Sequence, residues 1–268
     1  MICAVFADRA ANVTLCPRSG DHTMAGRRVL LAAALLSLST HGAVAQELQE
    51  SILAGDRTAA ARFITASGDL TAQTGLGTPL HVAALMNDTV VARLLLDHGA
   101  PIEARSDGYE MTPLHIAASY GKPQMAALLI NRGASLEARD LSGRTPLALA
   151  VQFGTAELVE LFLTRGAEPD PASGKSGTPL TIAIRRDSVA IAALLLSHGA
   201  EPVSAYIGTP PPLVEAARVG NPEMIRLLLR HGADLNSPDE AGLTPLAAAL
   251  AAGHPEAAAL LRQLGARS

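Results

Sequence analysis

The chain has 268 residues, 21 Lys+Arg against 25 Asp+Glu for a formal net charge of −4, 49% hydrophobic residues, 3% aromatic residues and no tryptophan. An acidic balance has the wrong sign for general nucleic-acid binding. So large an apolar share excludes wholesale disorder, and so few rings mean an aliphatic core.

Residues 1–23 carry charges and Pro17 ahead of what reads as a complete leader, so they are expected to be an upstream start assigned too early, with Met24 the true start. From Met24 the chain reads MAGRRVLLAAALLSLSTHGAVAQ. Arg27 and Arg28 precede an apolar run from Val29 to Leu38, and the stretch closes on Ala43-Val44-Ala45. A charged start, a short apolar run and an A-x-A site are the parts of a signal peptide. The run is about half the ~20 residues that span a bilayer. The sequence predicts a signal peptide over 24–45 and cleavage before Gln46, and the absence of Cys at that position argues against a lipid anchor. The leader's Ala-rich style is bacterial, so the expected destination is the periplasm, with secretion as the alternative. Cys3 and Cys16 both precede the cleavage site, so the mature chain is expected to hold no disulfide, thiolate metal site or cysteine nucleophile. It would carry 17 basic residues against 23 acidic ones.

The rest of the chain repeats. Leu80, Leu114, Leu147, Leu180, Leu213 and Leu246 hold one place in six copies, at steps of 34, 33, 33, 33 and 33 residues. A second marker keeps the same step: Gly99-Ala100, Gly133-Ala134, Gly166-Ala167, Gly199-Ala200, Gly232-Ala233 and Gly265-Ala266. Self-similarity at this period marks a stack of supersecondary units, none of which buries its apolar face alone. Each unit is a short helix, a turn, a second helix such as MIRLLLRHGA and a loop. Thr78, Thr112, Thr145, Thr178 and Thr244 are placed to cap first helices. Pro123, Pro222 and Pro255 stand where second helices begin, and the recurring glycine suits the left-handed position past a helix end. A weaker copy, ESILAGDRTAAARFITASGD, occupies the segment 46–77 and reads as an N-terminal cap; residues 78–268 hold the six full copies, the last a C-terminal cap.

The third copy, DLSGRTPLALAVQFG, and the sixth, DEAGLTPLAAALAAG, resemble the ankyrin repeat pattern D-x-x-G-x-T-P-L-H-x-A-A-x-x-G, and the likeness extends from about Gly77 to Ala266. It implies an all-α ankyrin-repeat solenoid of stacked helix-turn-helix units in one elongated domain, with β-hairpin finger loops projecting sideways. It also implies a non-enzymatic, monomeric protein-binding module without cofactor, nucleic acid or membrane contact after leader removal.

Chemical motifs do not displace this reading. SGKSG at Ser173 to Gly177 lacks the glycine a P-loop needs at position 169, which is Pro, and the strand that should precede it. His81 and His115 close the TPLH stretches, where the resemblance implies bonds to neighbouring backbone. His98, His198 and His231 precede the Gly-Ala pairs, where a donor suits exposed helix-end carbonyls, and His254 reads as a turn residue. One His per repeat, ~10 Å apart by helix-packing distances, cannot converge on one ion, so no metal site is expected. No catalytic motif of the G-x-S-x-G or H-E-x-x-H kind occurs.

The resemblance also implies that a partner lies on the first helices and finger loops. The two residues before the first-helix turn are Leu85-Met86, Ser119-Tyr120, Gln152-Phe153, Arg185-Arg186, Arg218-Val219 and Ala251-Ala252, and the fingers add Tyr109, Leu141, Arg144, Tyr206 and Ile207. All three tyrosines fall in this set with Phe153, whereas Phe63 and Phe162 read as buried. Tyr and Arg are favoured at interface hot spots. The expected partner-binding residues are Tyr109, Tyr120, Phe153, Arg185, Arg186, Tyr206 and Arg218. The fifth copy departs from pattern: Pro211 replaces the capping Thr within Pro210 to Pro212. The second has one extra residue around SDGYEM, and the fourth loop lacks the usual Asp, which weakens the expectation of hairpins there. The function these features imply is an exported binding protein, an inhibitor, immunity or stress-defence accessory. Alternatives are a secreted effector acting on host proteins, or an enzyme or small-ligand carrier using the groove.

Overall fold

The computed structural model describes residues 40–66, 68–171, 177–203 and 210–267, with side chains from residue 46 onward. The leader residues 24–39 and the loop residues 172–176 and 204–209, which include Tyr206 and Ile207, lie outside this set. The described residues are all-α, with fourteen helices, none long and apolar enough to cross a membrane. They fall into two compact units: residues up to 117 with 124–134, and 118–123 with 135–268.

In the first unit α1 (Thr40–Ala54) pairs with α2 (Arg57–Thr65) and α3 (Pro79–Met86) with α4 (Thr89–Asp97); α5 (Pro113–Ser119), in this unit up to Ala117, precedes α6 (Pro123–Asn131), in it from Gln124. Helix α1 runs without a break through Ala45 and Gln46, and among its residues from 46 onward Leu48, Gln49, Ser51 and Ile52 are buried. Gln49 binds the first loop, its Nε2 donating to the Gly77 carbonyl at 2.9 Å and its Oε1 accepting from Thr74. Sequentially adjacent pairs join in two layers, α1 against α3 and α2 against α4.

The second unit repeats this arrangement through α7 (Pro146–Phe153), α8 (Ala156–Thr164), α9 (Pro179–Arg185), α10 (Val189–Ser197), α11 (Pro212–Val219), α12 (Pro222–Arg230), α13 (Pro245–Ala251) and α14 (Pro255–Gln263). The odd-numbered helices form one row and the even-numbered ones the other. The core between rows is aliphatic, with Leu147, Leu180 and Leu213 at most 1% exposed and Phe162 fully buried. Phe63 departs from expectation and is half-buried, because Ala60 and Ile64 at i and i+4 take the inward stripe of α2 and leave Phe63 beside it.

Helix ends follow the expected chemistry. The Oγ1 atoms of Thr145, Thr178 and Thr244 accept from backbone N–H groups three residues on, at 3.2–3.3 Å. Thr112 does so at 3.4 Å, while Thr78 meets His81 Nδ1. Pro211 offers no side-chain cap, yet Pro212 at the first helical position still starts α11. The glycines of the Gly-Ala pairs have φ between +85° and +95°.

The expected β-hairpin fingers do not form among the described residues, where the sole bridge is Thr74 with Gly77. The Asp140 loop closes as a turn instead. Its N–H donates to the Arg144 carbonyl at 3.0 Å, and its Oδ1 accepts from the N–H groups of Ser142 and Arg144. Asp239 closes its loop in the same way onto Ala241 and Leu243. A turn closed within five residues leaves no length for a strand ladder. Ser106 replaces Asp in copy two, its Oγ accepting from the Met111 N–H at 3.2 Å, and Glu110 absorbs the extra residue at φ +51°.

Candidate partner-binding surface

The residues expected to bind a partner divide between the units. In the first, Tyr109 is half-buried in the loop before α5. The second contains Tyr120, Phe153, Arg185, Arg186 and Arg218. Tyr120 and Phe153 are half-buried and the three arginines exposed. They end first helices because each such helix stops where apolar periodicity gives way to a turn: Phe153 ends α7, Arg185 ends α9, Arg186 is its C-cap, and Arg218 lies in the last turn of α11. Leu141, at the tip of the Asp140 loop, is 64% exposed.

The arginines are not bare cations. Arg185 Nε donates to Glu215 Oε1 at 2.7 Å, Arg218 Nη2 donates to Asp239 Oδ2 at 2.7 Å, and Arg218 Nη1 lies 3.7 Å from Glu215 Oε2. Arg186 Nη1 donates to the Gln152 carbonyl at the end of α7. Arg144, in the third-copy loop, chelates Asp140 through Nε and Nη2. The acids lie inside and the guanidinium groups outside: the side chains of Asp140, Asp239 and Glu215 are 1%, 9% and 12% exposed, against 20%, 41% and 46% for Arg144, Arg218 and Arg185. Asp187, beside Arg186, accepts from Asn221 Nδ2 at 2.6 Å.

Sequence reasoning missed Glu215, Asp239 and His254 at this surface. His254 precedes α14, and its Nε2 donates to the Arg218 carbonyl at 3.0 Å, fixing the backbone that carries this arginine. A signal for Glu215 was present, since Val82, Ile116, Leu149, Ile182 and Ala248 occupy its place in the other copies. The pairings were not readable, because the partners lie 30 and 21 residues apart.

The remaining histidines have local roles. His81 Nε2 donates to the Met111 carbonyl at 2.8 Å while Nδ1 accepts from the Thr78 N–H at 3.1 Å, and burial pushes its pKa below the ordinary imidazole value. His98 and His198 each donate from Nδ1 to the carbonyl four residues back, at 2.9 Å. Away from the arginines, Glu137 Oε1 accepts from the Glu168 N–H and Asp170 Oδ2 from the Glu201 N–H, at 2.9 and 2.6 Å. Burial raises the pKa of both carboxyls; the backbone donor opposes this, and the neighbouring glutamate charge adds to it.

A model of ankyrin repeats matches the chain three times, over residues 48–140, 136–206 and 208–267. Among solved structures, the ankyrin repeat domain of Bcl-3, described as a unique member of the IkappaB protein family, is similar with 30% identity and a TM-score of 0.71, over 81% of this chain and 97% of its own. No curated protein gives a significant match. Ankyrin repeats are protein–protein interaction modules and generally not enzymes, and by the extent of these matches the chain belongs to the ankyrin repeat family.

Proposed function

We propose that the protein is exported and binds a partner protein on the surface that carries Tyr120, Phe153 and Arg186. One observation carries the reading: these three residues occupy the same place in copies two, three and four, at steps of 33 residues, in one unit, and all are half-buried or exposed. Large rings with partial exposure, beside a guanidinium, have the composition of interface hot spots. The leader supports export, and the absence of a catalytic motif in the sequence supports a holding role such as inhibition, immunity or stress defence.

The test begins with affinity capture from the envelope of the producing cell, using the chain from Gln46. Affinity of the recovered partner is then compared for Tyr120→Ala, Phe153→Ala and Arg186→Ala, with melting temperature alongside. At least one substitution is expected to cost about 2 kcal/mol or more of binding at unchanged melting temperature. Unchanged affinity in all three would move the interface elsewhere, and a collapse in melting temperature for the aromatic variants would assign the rings to packing. N-terminal sequencing of protein recovered from the envelope is expected to begin at Gln46; a chain that keeps residue 24 defeats export.

A further inference from the structure

Glu215 occupies a place that the fold fills with an aliphatic residue wherever it has the choice. Its counterparts Val82, Ile116, Leu149, Ile182 and Ala248 are 0%, 2%, 1%, 7% and 1% exposed. Five copies therefore show that packing at this place needs no charge. Replacing such a residue by a carboxylate costs desolvation, which ion pairing recovers only in part. What the carboxylate gains is its grip on two arginines from consecutive copies.

Arg185 and its neighbour Arg186 are each held by a single nitrogen, and Arg218 by both terminal nitrogens. Among the described residues, Arg185 uses only Nε and Arg186 only Nη1. Arg218 is held by Asp239 and Glu215 through its terminal nitrogens, and His254 braces its carbonyl. Each guanidinium group is thus immobilised before any partner arrives, with donors remaining. In these two pairs the acids are the inner layer and the guanidinium groups the outer one, so Arg185 and Arg218 face solvent while Glu215 and Asp239 do not; Asp187, beside Arg186, is the exposed acid here and is bound by Asn221. A pre-fixed guanidinium fork matches a carboxylate and loses little side-chain freedom on binding.

On this basis we infer that Glu215 is a positioning residue, which sets Arg185 and Arg218 beside Arg186 to receive an acid-rich segment of the partner protein, its carboxylates on the guanidinium groups. The inference rests on the protein-binding reading above and adds the chemistry of the occupant. A nucleic acid fits less well, because the chain's net charge of −4 repels a long polyanion while a short segment meets only the local surface.

The test is selection of a displayed library of random twelve-residue peptides on the immobilised full chain, followed by affinity measurement on the enriched peptides. Enriched peptides are expected to carry clustered Asp and Glu, and to bind at least tenfold more weakly to both Arg185→Ala and Glu215→Val. Glu215→Val installs the residue of the first copy and is expected to keep or raise the melting temperature, which separates lost positioning from lost folding. Enriched peptides without acidic residues, or affinity unchanged in Glu215→Val, would overturn the inference; if those peptides still fail on Phe153→Ala, the protein-binding reading survives it. No enrichment at all, or tighter binding of a fluorescent single-stranded oligonucleotide than of any acidic peptide, would also overturn it.

Discussion

Gly220 and Gly232 show how much one residue's surroundings matter when its backbone angles are nearly the same. Both are left-handed, at φ +82° and +94°. A Cβ on Gly232 would meet nothing within 4 Å, whereas one on Gly220 would sit 2.2 Å from the His254 ring. Gly232→Ala is therefore expected to cost only the left-handed penalty, about 1 kcal/mol. Gly220→Ala should cost more than that, because the ring must also leave the Arg218 carbonyl it now holds. Chemical denaturation of the two variants checks the order; equal losses would mean that His254 relaxes at no cost. The sequence marked both glycines as turn formers, and only the packed neighbour separates them.

At the scale of the element, each helix pair of the second unit after α7 and α8 packs on the pair before it, as α11 against α13 and α12 against α14. Stability in such stacks is close to a sum of unit terms and nearest-neighbour terms. Ending the chain before Thr244 removes α13 and α14 and exposes the faces of α11 and α12 that they cover. Hydrogen-exchange protection in α11 and α12 is expected to fall at least tenfold, while α7, two pairs further along, keeps its protection. Unchanged α11 and α12 would contradict nearest-neighbour coupling. Helix positions were legible because proline and glycine punctuate every copy and threonine every copy but the fifth. The loops were less so: a hairpin and a carboxylate-closed turn use the same Asp and Gly, and the difference lies in whether Asp140 Oδ1 takes up the N–H groups that a ladder would have used.

At the scale of the whole molecule, the two units should answer pH in opposite ways. His81, in the first unit, is buried and held neutral, so its folded pKa is below the unfolded value of about 6.5. Its contribution is complete above that pH and is lost as pH falls toward the folded pKa, since the unfolded chain then binds the extra proton. Glu137 and Asp170, in the second unit, have raised folded values, so the unfolded chain gives up its protons first. Their contribution is complete below the unfolded values of about 4.5 and 3.8 and is lost as pH rises through the folded ones. Between pH 7 and 5.5, exchange protection of α3 is expected to weaken, and His81→Gln should flatten that change. Glu137→Gln and Asp170→Asn should raise the melting temperature at pH 7 and leave it unchanged at pH 3.5. A rise of equal size at both values would show that charge is not the cause.

The sequence by itself determined the repeat, its 33-residue step, the helix caps and the aliphatic core, because each of these is set by contacts within a copy or by a pattern that every copy shares. It also singled out Tyr120, Phe153 and the arginines as first-helix ends, since turn residues follow them directly. Only the tertiary structure decided what those arginines hold. Glu215 meets Arg185 across 30 residues, Asp239 meets Arg218 across 21, and His254 reaches the Arg218 backbone across 36. Such pairs form when helices from consecutive copies come side by side, and no local propensity encodes that distance. Arginines that the sequence places at first-helix ends thus become, in the folded chain, side chains tied down by acids and backbone carbonyls of neighbouring copies.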